Sequence, residues 1–145
     1  MTNLTVSKNL KKKICLITGA RTGIGLSIGL TLAKNGYRVI FSGRSVNDCK
    51  DTVDLLMAKG FEAVETQIDL SNLSSLKQQT EIALSIWGTV DILINNGAVI
   101  EPINSLEKLE LQDFEKAIRV NYLAPSLLIS YCLLYTSDAA DDIPG

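Results

Sequence analysis

The sequence predicts a doubly wound α/β fold, in which a Rossmann-like parallel sheet lies between two layers of helices. Four short apolar runs, of the kind buried in parallel sheets, alternate with helical segments long enough for right-handed crossovers. A polar or glycine-rich turn follows each run, and the carboxyl ends of parallel strands share one edge of a sheet. We therefore expect three α/β/α layers with the strand order 3-2-1-4, ending after the fourth strand and the helix that follows it.

The first part of the chain contains two strand and helix units. The near-continuous apolar run at residues 13–18 predicts strand one, and the largely apolar residues 24–35 predict a helix that ends at Asn35-Gly36. Strand two is expected at residues 37–42. Residues 46–59 carry apolar side chains at helical spacing and predict a surface helix.

The second part of the chain repeats the alternation. A third strand is expected within residues 61–70, and Ser71 is well placed as the N-cap of a helix that runs to about Trp87. Residues 90–94 predict strand four. After a loop, a helical region is expected from about residue 106 to about residue 131.

Length and composition indicate one domain of an ordinary soluble protein. The chain has 145 residues, of which 46% are hydrophobic and 21% charged, and its formal net charge is −2. This balance argues against nucleic acids or acidic membranes as partners. The first ten residues lack the apolar core of a signal peptide, and no apolar stretch looks long enough to cross a bilayer. We expect a cytoplasmic protein.

The chain has no histidine, and its three cysteines are widely spaced. Histidine general bases, Ser-His-Asp triads and the common Cys/His zinc sites are therefore excluded from these residues, and no metal site is expected. Cys15 lies in a predicted buried strand and Cys49 in a predicted helix. We interpret both as structural thiols.

The turn at residues 18–25, Thr-Gly-Ala-Arg-Thr-Gly-Ile-Gly, links strand one to the first helix. Glycines there allow positive φ and a close approach of ligand to backbone, and the free N–H groups of the helix attract anions. The turn is thus a seat for a phosphate or pyrophosphate, although glycine turns of this kind also occur for packing alone. Polar turns at residues 43–44, 69–70 and 95–98 share the same sheet edge and favour the ligand interpretation.

Together these residues resemble the classical short-chain dehydrogenase/reductase family. Residues 18–25 reproduce that family's TGxxxGIG pattern rather than the GxGxxG of the general dinucleotide fingerprint. The resemblance continues through Asp69-Leu70, residues 90–96 and Val120-Asn121, and it covers nearly all of the chain to about residue 131. It implies a dinucleotide cofactor and hydride-transfer chemistry.

The resemblance implies a set of cofactor-binding residues. Gly19, Gly23, Ile24 and Gly25 would hold the pyrophosphate. Asp69 would bind the adenine amino group with Leu70 beside it, although Asp69 could instead be an ordinary helix-initiating carboxylate. Asn95 would support the turn after strand four against the cofactor. The full expected set is Gly19, Arg21, Thr22, Gly23, Ile24, Gly25, Ser42, Arg44, Asp69, Leu70, Asn95, Gly97 and Ala98.

The turn after strand four departs from the family pattern. Relatives usually carry NNAG there, whereas residues 95–98 read Asn-Asn-Gly-Ala, with the two small residues exchanged. A backbone contact to the cofactor could survive this exchange. A requirement for positive φ at Ala98 would be costly, because alanine disfavours that conformation.

The end of strand two predicts a preference for NADP(H), with NAD(H) still possible. A carboxylate at that position would bind the ribose hydroxyls and repel a 2′-phosphate, whereas an arginine would attract the phosphate. This chain carries Gly43 and then Arg44. We expect Arg44, with Arg21 or Ser42, around the 2′-phosphate; the alternative is that Arg44 is only a surface charge.

Pro125 predicts an interruption in the last helix. Proline has no N–H, so the carbonyl of Asn121 loses its usual intrahelical donor, and a kink or an inserted water should follow. In the family, the asparagine matched by Asn121 is the fourth catalytic residue, and its main chain holds a water of the proton relay. The alternative is that Pro125 merely bends a packed helix.

The serine, tyrosine and lysine of family catalysis have no match in the chain, because none of its four tyrosines is followed by lysine four residues later. Residues 1–131 are therefore interpreted as an incomplete NAD(P)-binding domain. Residues 132–141 resemble a translated transposase-type sequencing adapter, which predicts a non-native tail at residues 132–145; a natural acidic tail is the alternative. DNA sequence beyond the codon for Tyr131 distinguishes the two.

The expected function of the parent gene is an NADP(H)-dependent oxidoreductase that moves a hydride between nicotinamide C4 and a carbonyl or alcohol carbon. The alternatives are a non-catalytic dinucleotide-binding or regulatory module, and a purely structural domain. By resemblance, the full-length parent would form homo-oligomers. We expect the chain alone to be marginally stable or to aggregate, because strand four would present an unpaired apolar edge.

Overall fold

A computed structural model describes residues 11–141, with side chains to residue 135. The first ten residues and the end of the predicted tail, residues 142–145, lie outside the described part. Four parallel strands form one sheet in the order β3-β2-β1-β4, as predicted. The strands are β1 (Ile14–Ile17), β2 (Arg38–Gly43), β3 (Ala63–Gln67) and β4 (Ile92–Ile94).

Helices follow each strand and complete three layers. In chain order they are α1 (Gly23–Lys34), α2 (Lys50–Ala58), α3 (Leu73–Ser85), a 3-10 turn (Leu106–Lys108), α4 (Leu111–Ile118), a π-helical turn (Arg119–Leu123) and α5 (Ala124–Asp141). The predicted doubly wound α/β class is confirmed.

The central strand β1 is buried on both faces, which explains its near-continuous apolar sequence. Cys15 and Ile17 pack with α1 and α2 on one face. Ile14 and Leu16 pack with α3 and α5 on the other. Successive side chains of a strand point to opposite faces, so one short run supplies both cores.

The second helix begins later than its apolar spacing predicts. Residues 46–49 form turns, and α2 starts at Lys50 rather than Val46. The Asp48 side chain accepts the backbone N–H of Ser45 at 2.9 Å, and Asn47 has φ 68°. Short polar side chains that bind nearby backbone groups compete with helix formation, which accounts for the late start.

The predicted N-cap of α3 is also wrong. Asn72, not Ser71, precedes the first residue of the helix. Both the backbone N–H and the hydroxyl of Ser71 donate to Oδ1 of Asp69, at 3.0 and 2.7 Å. Ser71 is therefore part of an Asp-led turn before the helix, and its hydroxyl does not cap the helix.

The predicted interruption of the last helix is confirmed. The backbone changes to a π-helical turn at Arg119–Leu123, and Ala124 N–H donates to the carbonyl of Arg119, five residues earlier. Pro125 follows directly and cannot donate to Asn121. A wider turn at this point is the expected consequence of the missing N–H.

The helical stretch Leu111–Tyr135 corrects one further expectation. By length and composition alone, its 25 residues with a hydropathy of 1.4 suffice to cross a membrane. Its apolar residues are interleaved with polar ones, so no contiguous apolar run signals it in the sequence. Core helices of soluble proteins meet the same criterion, but they are mostly buried, whereas only 17% of this apolar window is buried. Ala124 and Leu128 of this stretch are fully buried against the sheet.

Within the described residues, β4 is an edge strand that pairs only with β1. A cavity of about 560 Å³ lies beside its free edge. The residues that line this cavity are Val90, Asp91, Leu93, Asn95, Ile129, Cys132 and Leu133. The exposed edge agrees with the prediction for a sheet that ends at strand four.

Candidate functional site

A cleft of about 900 Å³ lies at the carboxyl ends of the strands. Turns that are distant in sequence meet in it, as the alternation of strands and helices predicts. Ten of the expected site residues line it: Gly19, Arg21, Thr22, Gly23, Ile24, Arg44, Asp69, Leu70, Gly97 and Ala98. The other four, Gly25, Ser42, Asn95 and Asn121, lie outside its lining.

The turn after β1 touches the turn after β4 at Gly19. This glycine has φ 62°, and a Cβ built there would lie 2.7 Å from the Cα of Gly97. No side chain fits at that distance, and positive φ disfavours any residue with a Cβ. The glycine is thus required both for conformation and for the close approach of two backbones.

Thr18 and Asn96 join the same two turns by hydrogen bonds. The Thr18 hydroxyl accepts the backbone N–H groups of Asn96 and Gly97 at 3.1 and 3.0 Å. In return, the Asn96 side-chain amide donates to the carbonyls of Thr18 and Gly19, each at 3.1 Å. The sequence analysis assigned neither side chain a role, although both lie within the motifs that it used.

Asn95 lines the cavity beside β4, together with Leu93, and not the cleft. Side chains alternate between faces along extended backbone, so Asn95 and Asn96 point to opposite sides. The support that we expected from Asn95 comes from Asn96.

The exchange of alanine and glycine at residues 97 and 98 carries no backbone strain. Neither residue has positive φ. A Cβ at Gly97 would lie 2.6 Å from Leu70 Cδ1 and 3.3 Å from both the nitrogen of Gly19 and the Thr18 hydroxyl. The exchanged order therefore places the glycine at the crowded position.

The two later glycines of the first turn serve different purposes. Gly23 has φ 62° with open space around it, so its conformation alone favours glycine. Gly25 has no positive φ, but its Cβ would lie 2.4 Å from the Asn96 side-chain nitrogen. Gly25 thus makes room for Asn96 and does not line the cleft. Ile24 between them is 74% exposed.

Two guanidinium groups line the cleft, on Arg21 and Arg44. Within the described part of the chain, neither is in an ion pair. Ser42 was expected as a possible partner of these groups, but it is fully buried and its hydroxyl donates to the Ile17 carbonyl at 2.9 Å. Ser42 therefore does not reach the cleft, whereas Arg21 lines it.

Asp69 lines the cleft beside Leu70. Its backbone N–H donates to the Gln79 side chain at 2.9 Å, which ties the turn to α3. Its Oδ1 also fixes Ser71, as described above. The carboxylate therefore organises the turn into α3 as well as facing the cleft.

The Asn121 side chain is held by the loop that leaves β4. Val99 N–H donates to its Oδ1 at 2.8 Å, and its Nδ2 donates to the Val99 carbonyl at 2.7 Å. Two such bonds fix the loop to the π-helical turn. Val99 and Val120 line the cleft on either side of this pair.

The two cysteines expected to be structural lie in the core. Burial raises the pKa of Cys15 to about 12. Burial, with the nearby carboxylates of Glu65 and Asp48, raises the pKa of Cys49 to about 11. Both thiols are therefore protonated and unreactive near neutral pH. No cluster of potential metal ligands occurs among the residues that the structure describes.

The family model described as short chain dehydrogenase matches residues 13–139. The chain belongs to this family. A short-chain dehydrogenase/reductase homolog YusS of Bacillus subtilis is 35% identical over 68% of the chain and 94% of its own length. A cyclohexanol dehydrogenase of an Acinetobacter species is 31% identical over 80% of the chain and 46% of its own length.

Two solved structures share this fold over about half of their own length. A blue fluorescent protein from a metagenomic library, in complex with NADPH, is 31% identical with a TM-score of 0.79, over 88% of the chain and 52% of its own. A metagenomic short-chain oxidoreductase in complex with NADP is 28% identical with a TM-score of 0.80, over 88% of the chain and 57% of its own.

The chain spans about half the length of most of the curated relatives that it matches. For example, it covers 48% of an uncharacterized oxidoreductase of Thermotoga maritima. The matched family range includes residues 132–139, which are part of the predicted tail.

Several residues that line the cleft were not predicted from the sequence. They are Asp48, Ser71, Asn96, Val99, Ile100, Lys116 and Val120.

Proposed function

We propose that the cleft binds NADP(H), and that the parent protein is an oxidoreductase acting on a carbonyl or alcohol substrate. The observation that carries this proposal is the pair of cleft guanidiniums, Arg21 and Arg44, without an ion-pair partner among the described residues. A guanidinium binds a phosphate with two parallel hydrogen bonds, and both arginines are exposed, so a ligand can reach them. Similar solved structures contain NADP(H), which supports the assignment.

The glycine turn is the proposed pyrophosphate site. The N-cap residue of α1, Thr22, makes no side-chain capping hydrogen bond within the described part of the chain, and the first turn of the helix contains no acidic residue. Its free N–H groups therefore remain available to an anion. Gly19 and Gly23 have no side chains that could obstruct the approach.

The remaining contacts are those that the family resemblance implies for residues of the cleft. Asp69 and Leu70 would hold the adenine, and Gly97 and Ala98 would lie against the nicotinamide half. The nicotinamide would supply or accept the hydride. Asn121 holds the loop at Val99 and is the proposed fourth catalytic residue. We place the serine, tyrosine and lysine of catalysis in the part of the relatives' length that this chain does not span.

A second candidate function is a non-catalytic dinucleotide-binding module. The observation that favours it is the length of the YusS homolog, because this chain covers 94% of that protein. Assays of NADPH oxidation with a panel of aldehydes and ketones distinguish the two functions when the parent gene product is compared with this chain. Turnover by the parent alone supports the oxidoreductase. Binding without turnover by both supports the module.

Two further proposals concern the context of the chain. We propose that it is cytoplasmic, because of its composition, and that the parent forms homo-oligomers. We also keep the division into a cofactor-binding domain at residues 1–131 and a non-native tail at residues 132–145. Localisation of a tagged parent and sequencing of the source DNA test these proposals.

The proposed function is tested by titrating the chain with NADPH and NADH, following cofactor fluorescence. Arg44→Ala should weaken NADPH binding about 10- to 100-fold, because a hydrogen bond to a charged group contributes about 1.5–3 kcal/mol. NADH binding should change little. Lys77→Ala, which removes an exposed positive charge on α3, is the control and should leave both affinities unchanged. Equal loss of NADPH affinity in both variants would contradict the proposed role of Arg44.

A further inference from the structure

The loop after β2, residues 44–49, carries Arg44. Its backbone is held by hydrogen bonds to side chains for which the family resemblance implies no role. Gln67, the last residue of β3, donates its side-chain N–H to the Arg44 carbonyl at 3.1 Å. Asp48 accepts the N–H of Ser45, the next residue, at 2.9 Å. The peptide group that joins Arg44 to Ser45 is thus held at both its carbonyl and its N–H.

Gly43 makes room for this arrangement. A Cβ built at Gly43 would lie 2.4 Å from the Cβ of Asp48 and 2.9 Å from its Oδ2. Gly43 does not have positive φ, so glycine is needed there for space and not for conformation. The Asp48 side chain therefore packs directly on the end of β2.

The far end of the loop is tied to the same neighbouring strand. Glu65 of β3 accepts the backbone N–H of Cys49 through Oε2 at 3.2 Å. Gly43 and Gln67 are paired across β2 and β3. The loop is therefore anchored at both ends to β3, the outer strand of the sheet.

We propose that Gln67 and Asp48 are positioning residues that select the phosphorylated cofactor by holding Arg44 in the cleft. The inference rests on the proposed binding of NADP(H). A loop fixed before binding loses less conformational freedom when the ligand arrives, so its contacts contribute more to affinity. Both side chains bind the loop backbone, and Gln67 acts on the cofactor only through Arg44.

Asp48 exerts two opposing effects that substitution separates. Its hydrogen bond fixes the loop, whereas its negative charge lies in the same cleft as Arg44 and opposes a 2′-phosphate. Asp48→Asn keeps an oxygen that accepts the Ser45 N–H and removes the charge. Asp48→Ala removes both.

The experiment measures Kd for NADPH and NADH for each variant and compares the ratio Kd(NADH)/Kd(NADPH). Gln67→Ala should lower this ratio about two- to tenfold, the usual range for a lost neutral hydrogen bond. Asp48→Ala should give a lower ratio than Asp48→Asn, because the two variants both lack the charge and only the alanine also lacks the acceptor. Asp48→Asn should leave the ratio at or above the wild-type value. Gln78→Ala, at an exposed position of α3, is the control and should leave the ratio unchanged. NADH binding reports general damage to the fold.

The outcomes separate this inference from the proposed function. If Arg44→Ala lowers the ratio, Gln67→Ala does not, and Asp48→Ala matches Asp48→Asn, the positioning role is wrong while NADP(H) binding stands. If the wild type itself does not discriminate, both proposals are wrong. If Asp48→Ala does not fold, Gln67→Glu decides: it keeps the size of the side chain but loses the donor, and an unchanged ratio overturns the inference.

Discussion

Gly19→Ala should be among the most damaging single substitutions in the chain. The added methyl group would lie 2.7 Å from Gly97 Cα and 3.1 Å from its nitrogen, and φ at this position is 62°. Positive φ costs a residue with a Cβ roughly 1–2 kcal/mol. Forcing a methyl group into a packed site typically costs about 1–3 kcal/mol more.

The expected loss in the free energy of unfolding is therefore roughly 2–5 kcal/mol, against about 5–15 kcal/mol for a typical domain. Gly23→Ala is a matched control, because Gly23 has the same φ of 62° and no atom within 4 Å of the built Cβ. Only the conformational cost applies there. The difference between the two variants isolates the contact between the β1 and β4 turns.

The assay is urea denaturation followed by circular dichroism. Trimethylamine N-oxide in the buffer raises the stability of a marginal fold enough to give a folded baseline. Gly19→Ala should lower the unfolding midpoint clearly more than Gly23→Ala, with an unchanged m-value. Equal midpoints for the two variants would refute the tight approach of the two turns.

Three further predictions follow from individual contacts. Thr18→Val removes the acceptor of two backbone N–H groups and should lower the free energy of unfolding by about 1–3 kcal/mol, whereas Thr18→Ser should not. Asn121→Ala should raise the hydrogen-exchange rate of the Val99 amide about tenfold, because that N–H loses its acceptor. Because burial raises the pKa of Cys15 from 9.0 to about 12, only the unfolded thiol deprotonates above pH 9. The free energy of unfolding should therefore fall between pH 9 and pH 12, by up to about 1.4 kcal/mol per pH unit from this group.

Each of these predictions has a result that contradicts it. Equal loss of stability in Thr18→Val and Thr18→Ser would mean that the hydroxyl is not the important group. Unchanged exchange at Val99 would mean that the loop is held elsewhere. If Cys15→Ala leaves the alkaline slope of the unfolding free energy unchanged, the slope arises from other groups.

The layered fold could be predicted because more than one feature of the sequence indicates it. The run at Ile14–Ile17 is apolar at every position, which indicates a strand buried on both faces, and Ile14 and Cys15 indeed pack on opposite sides. The π-helical turn was predictable for a different reason. Pro125 has no N–H to donate to the carbonyl of Asn121, and this missing donor alone predicts that the regular helix is interrupted there.

The errors share a cause, which is that sequence patterns do not give the direction of a side chain. Asn95 and Asn96 are identical residues, and only the phase of the extended backbone decides that Asn96 faces Thr18. Ser42 lies next to Gly43 at the cleft, but its own side chain points into the sheet toward Ile17. In the same way, the Asp48 and Ser71 turns depend on hydrogen bonds that compete with the helical pattern.

We propose that the two cleft arginines recognise a 2′-phosphate. Calorimetric titration of the chain with 2′,5′-ADP and with 5′-AMP tests it most directly, because the two ligands differ by that phosphate and neither needs the nicotinamide half of the site. We predict that 2′,5′-ADP binds at least about tenfold more tightly, and that Arg44→Ala abolishes the difference. Equal affinities of the wild-type chain for the two ligands would contradict the claim.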